Sequence, residues 1–72
     1  MRTYEEVMLE ETANRTGKSE REIFDEASMS EFAPPFAFNV DMAWQYYLDT
    51  GFVPYFVNNY IREVLDGEEQ TS

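Results

Sequence analysis

One run of apolar residues constrains the fold more than any other feature of the chain. Val53, Phe56, Val57, Tyr60, Ile61, Val64 and Leu65 fall at i, i+3, i+4, i+7, i+8, i+11 and i+12, the stripe along one face of an α-helix. Asn58, Asn59, Arg62, Glu63 and Asp66 fall on the opposite face. Pro54 stands at a first-turn position, where its missing amide proton does no harm, and Gly67 reads as the stop signal. A helix with one apolar stripe must bury it, and in a chain of 72 residues the covering surface comes from the same small domain.

Glycine and proline divide the rest of the chain into three more helices. Thr3 followed by Glu6 fits a capping box, so helix 1 runs from Tyr4 to about Thr16 with Tyr4, Val7, Met8, Leu9 and Ala13 as its apolar positions. Gly17 is placed to accept the left-handed conformation just past its end. Ser19 with Glu22 repeats the box and starts helix 2 at Glu20, which carries Ile23, Phe24 and Ala27 inward and ends near Ser28. Residues 30–39 cannot hold a helix, because Pro34 and Pro35 lack amide protons and push their predecessors toward extended geometry. Asn39 or Asp41 caps helix 3, which runs to about Thr50 with Val40, Ala43, Trp44, Tyr47 and Leu48 on one stripe. The reading is an all-α bundle of about four short helices over residues 1–67, with helices 3 and 4 as an antiparallel core hairpin and 68–72 as a disordered acidic tail.

Charge and composition then remove most functions. Fifteen Asp and Glu against five Lys and Arg leave a net charge of −10, which repels nucleic acid and anionic lipid and attracts basic surfaces. High net charge is one mark of disorder, but low hydrophobicity is the other, and 43% hydrophobic residues with 17% aromatics argue for a folded domain. The absence of Cys and His removes disulfides, thiolate zinc sites and the usual general base. No run approaches the roughly 20 apolar residues of a membrane span, and no signal-peptide pattern opens the chain. The expectation is a cytoplasmic, non-enzymatic protein without cofactor or metal.

Two short motifs suggest chemistry and fail on context, and a third is missing altogether. Thr16-Gly17-Lys18-Ser19 ends like a phosphate-binding loop, but Thr12 occupies the position of its first glycine and no strand precedes it. Asn14-Arg15-Thr16 matches a glycosylation acceptor without a secretory signal. No stretch has the Asp-rich loop with a central glycine that a helix-loop-helix calcium site uses. Ala13, Gly17 and Ile23 are similar to the small-residue, turn-glycine and inward-aliphatic pattern of the helix-turn-helix family, which implies helix 2 as a recognition helix in the major groove. That helix carries Glu20, Glu22, Asp25 and Glu26 against Arg21 alone, a charge that drives it away from phosphates.

The carboxylates themselves are the main functional signal. Between Arg21 and Arg62 there is no basic residue, so Glu22, Asp25, Glu26, Glu31, Asp41 and Asp49 lack sequence-local partners within that stretch. Glu6/Glu10, Glu22/Asp25 and Glu22/Glu26 are like-charged at helical neighbour spacing, each destabilising by about 0.2–0.5 kcal/mol. In size, charge and lack of catalytic residues the chain resembles the small acidic phage-encoded inhibitors, anti-CRISPR and anti-restriction proteins among them. That resemblance rests on composition and transfers no residue role. It implies a nucleic-acid mimic in the host cytoplasm that occupies the basic site of a protein or complex that normally binds nucleic acid. The expected contact residues are Glu5, Glu6, Glu10, Glu11, Glu20, Glu22, Asp25, Glu26 and Glu31. The alternative is an acidic adaptor or regulatory subunit that docks, or dimerises, through the aromatic connector Phe32, Phe36 and Phe38. Phe24, Trp44, Tyr47, Phe56, Tyr60 and Ile61 read as core, while Tyr46 and Tyr55 fit either core or interface.

Overall fold

The computed structural model describes residues 3–35 and 38–71, and its elements begin where the capping residues place them. The helices are α1 (Tyr4–Thr16), α2 (Glu20–Ser28), α3 (Val40–Thr50) and α4 (Tyr55–Thr71), with no strand among the described residues. The Thr3 hydroxyl accepts from the Glu6 amide at 3.2 Å, the Ser19 hydroxyl from the Glu22 amide at 3.1 Å, and the Asn39 side chain from the Asp41 amide at 2.8 Å. Each bond satisfies one of the amides left open at a helix start, worth about 0.5–2 kcal/mol. Gly17 and Gly51 close α1 and α3 with φ of 71° and 78°, left-handed angles that an L side chain tolerates poorly.

Two boundaries differ from the sequence reading, both on α4. Its first intrahelical bonds run from the Val57 and Asn58 amides to the Pro54 carbonyl, so Pro54 precedes the helix. At the other end the backbone stays helical through Gly67 to Thr71, past the glycine that the sequence marked as a stop signal. Gly67 lacks the positive φ that ends α1 and α3. The glutamates and glutamine that follow are good helix formers, so one glycine, unfavourable by about 1 kcal/mol, does not break the run.

The core forms around the inward stripe of α4. Val53, Phe56, Val57, Ile61 and Leu65 are buried together with Leu9 of α1 and Ile23, Phe24 and Ala27 of α2. Thr12 is buried among them at 1% exposure, and its hydroxyl donates to the Met8 carbonyl at 2.8 Å, so burial does not leave it unsatisfied. This narrows and shifts the stripe of α1: Leu9 is buried as expected, Tyr4 and Val7, expected inward, are exposed, and Thr12 joins the core in their stead.

Helix α3 plays a different part from the one expected. None of its residues is fully buried, although Val40, Ala43, Trp44 and Tyr47 lean on the core. Its packing is chiefly on α2, where Phe24 meets Trp44 edge-on at 5.1 Å and Tyr47 at 5.5 Å. Polar links fix the same contact: Arg21 pairs with Asp41, and the Tyr47 hydroxyl donates to Glu20 at 2.8 Å. Leu48, expected on the inward stripe at i+8 from Val40, is 55% exposed in the last turn of α3. The molecule is 18 Å across its thinnest axis, less than two helix diameters of about 10–12 Å each.

Candidate interaction surfaces

The structure divides the sequence-nominated carboxylates into two groups. At the corner between α1 and α2 the cations are held by acids. Arg15 bonds Glu11 at 2.7 Å, Lys18 bonds Glu26 at 2.6 Å, and Arg21 bonds Asp25 at 3.2 Å as well as Asp41. Asp25, Glu26 and Asp41 therefore have cationic partners, because Lys18 and Arg21, on the edge of the base-free stretch, reach into it. Glu20 and Glu26 also accept from the Tyr47 and Tyr60 hydroxyls, at 2.8 and 3.2 Å. Glu6 is half-buried against the α3–α4 turn, where its carboxylate crowds the space a side chain at Gly51 would need. Glu10 is half-buried on α1 and engaged in an interaction of its own.

These contacts perturb the titration of three groups. The hydrogen bond to Glu26 raises the pKa of Lys18, and the hydrogen bond to Asp41 raises that of Arg21. Burial pushes the Tyr60 hydroxyl up, with the Glu26 carboxylate adding in the same direction. All three shifts hold the protonated form and keep the corner paired.

The second group faces solvent. Glu5, Glu22, Glu31, Asp49, Glu63 and Asp66 are exposed, and none enters an ion pair among the described residues. Only Glu5, Glu22 and Glu31 of these were nominated from sequence. Asp49, Glu63 and Asp66 sit on the outward faces of α3 and α4; the sequence placed Glu63 and Asp66 on the outer face and Asp49 without a local partner but did not count them as contact residues.

The aromatic connector is not the exposed surface that the adaptor reading expects. Phe32 and Phe38 are half-buried against the core, and Phe38 meets Phe56 edge-on at 5.1 Å. Phe36 lies outside the described residues. The exposed rings are elsewhere: Tyr46 at 57%, Phe52 at 42% and Tyr55 at 80%. They run in a row from the outer face of α3 across the turn to the start of α4, with centroids 5.9 Å apart from Tyr46 to Phe52 and 6.5 Å from Phe52 to Tyr55. Sequence reasoning left Tyr46 and Tyr55 undecided and missed Phe52, whose only signal was its place directly after the Gly51 turn.

Two shallow depressions flank this row. One of about 330 Å³ lies between the start of α1 and the α3–α4 turn and includes Glu5, Gly51, Phe52 and Tyr55 in its walls. The other, also about 330 Å³, follows the outer face of α3 past Met42, Tyr46 and Asp49. Neither is walled by a cation among the described residues. No helix is long and apolar enough to cross a membrane, and no three carboxylates converge on a common point that could hold a metal ion, both among the described residues. Comparison of the chain with protein-family models, curated proteins and solved structures finds no match.

Proposed function

We propose that this protein acts by binding rather than catalysis, occupying the basic nucleic-acid site of a partner protein or complex and excluding the nucleic acid from it. The observation that carries this reading is the set of exposed carboxylates without ion-pair partners among the described residues, Glu5, Glu22, Glu31, Asp49, Glu63 and Asp66, on a chain of net charge −10. Pairing at the α1–α2 corner engages Arg15, Lys18 and Arg21 and leaves the surplus charge elsewhere. Such a surface accelerates encounter with a basic groove and competes with the phosphates that the groove normally holds. In kind this is the strategy of the small acidic phage-encoded inhibitors.

The test is capture from a lysate of the native host on the immobilised protein, followed by elution with salt and separately with duplex DNA or RNA. A retained nucleic-acid-binding protein that both salt and nucleic acid release supports the proposal. A partner that resists salt and ignores added nucleic acid overturns it.

A further inference from the structure

We infer that the aromatic row Tyr46, Phe52 and Tyr55 is a docking site for an arginine-bearing segment of a partner protein, with Asp49 and Glu5 as its charge partners; this rests on the proposed attraction to basic partners. The three rings are exposed yet packed edge-to-face on one another. Edge-to-face packing orders the rings in advance, so little side-chain freedom remains to be lost on binding, and each such contact occupies only one face of one ring. Exposed aromatics of this size are the residue type that anchors interfaces.

Charge decides what the row accepts. Asp49 and Glu5 line the depressions on either side of it, no cation lines either one among the described residues, and the whole chain carries −10. A second copy would bring the same carboxylates and the same net charge against the patch, which opposes self-association. Single-stranded nucleic acid could stack bases on the rings, but its phosphates meet the same repulsion. An arginine side chain satisfies both halves of the surface, since its guanidinium lies over a ring face and donates a forked pair of hydrogen bonds to a carboxylate. Asp41, at the far end of the α3 depression, is held by Arg21 and is not part of this set.

The experiment titrates an arginine-glycine peptide into the isotopically labelled protein, with amide shifts read by NMR and affinity by fluorescence anisotropy. The comparison pair is Tyr46→Ser with Tyr55→Ser, which removes rings without changing charge, and Glu22→Gln with Glu63→Gln, which removes charge without touching the rings. Both pairs alter exposed side chains, so circular dichroism should report an unchanged fold. We expect shifts centred on residues 42–55, affinity reduced about tenfold or more by the ring variant, and a smaller, salt-sensitive effect of the Gln variant. Equal losses from the two variants, with shifts spread over the surface, would mean diffuse attraction: the basic-partner reading would stand and the docking site would fall. No binding at all would remove both. Saturable binding of oligouridine on the same face, or a concentration-dependent dimer that the ring variant abolishes, would assign the row to a different occupant and overturn the inference.

Discussion

Replacing Ile61 by Ala and Leu48 by Ala should separate the two faces that this fold assigns to very similar residues. Ile61 is 2% exposed in the α4 stripe, so truncation removes its buried methylenes and leaves a cavity in the core that it shares with α1 and α2. Substitutions of this kind typically destabilise by about 2–5 kcal/mol. At about 0.05–0.15 kcal/mol per residue, a chain of 72 residues holds only about 4–11 kcal/mol in total, so the loss is a large fraction of its stability. At about 4–8 °C per kcal/mol for a domain of this size, the thermal midpoint should fall by roughly 10 °C or more, or the folded baseline should vanish. Leu48 is 55% exposed on α3, and the same truncation there should stay within about 0.5 kcal/mol, helped by the higher helix propensity of alanine. Circular dichroism melts of the two variants beside the parent decide the matter. A Leu48→Ala loss as large as that of Ile61→Ala would mean that α3 packs with its other face inward, and the exposed aromatic row would lose its basis.

Gly51→Ala should destabilise more than Gly17→Ala: both have positive φ, but a Cβ at Gly51 would collide with the Glu6 carboxylate while the one at Gly17 meets open space. Because the obstruction is the end of a flexible side chain, the gap between the two should close in a Glu6→Ala background, which urea titration of the single and double variants measures. The raised pKa of Tyr60 means that folding favours its neutral hydroxyl, so this stabilisation is complete below the ordinary tyrosine value of about 10 and is lost as pH rises through the folded value. Melts in an alkaline series should show a falling midpoint, and Tyr60→Phe should flatten part of that fall; an identical alkaline profile for parent and variant would contradict the assignment. Arg21→Gln breaks the links to both Asp25 and Asp41, and amide exchange should quicken in the first turn of α3 while α4 stays protected.

Local chemistry made the helices legible in the sequence, and long-range contacts hid the rest. Thr3, Ser19 and Asn39 are capping residues whose bonds span two or three positions, and Gly17 and Gly51 act on their own backbone, so the starts of α1 to α3 and the ends of α1 and α3 could be read directly. The stripe of α4 was legible because it is long enough to fix its phase. The stripe of α1 was not, since Thr12 is buried only by satisfying its own hydroxyl on the Met8 carbonyl, and a polar residue in that role looks like surface. Helix α3 was legible in its face but not in its partner: Val40, Ala43, Trp44 and Tyr47 lean inward as their spacing predicts, while the exposure of Leu48 and the packing on Phe24 of α2 depend on long-range contacts. The carboxylate array was read from missing neighbours in sequence, yet Arg21 meets Asp41 and Tyr47 meets Glu20 across 20 and 27 positions, pairings that helix spacing does not reveal.

The most direct measurement is displacement of labelled DNA or RNA from the captured partner by the parent protein and by a variant carrying Glu22→Lys, Asp49→Lys and Glu63→Lys. All three side chains are exposed and outside the ion pairs of the described residues, so the fold should survive their reversal, which circular dichroism can verify beforehand. We expect the parent to displace the nucleic acid at low ionic strength, progressively less as salt is added, and the folded variant to displace little or none. Equal displacement by parent and variant, or none by either, would contradict a function carried by the surplus negative surface.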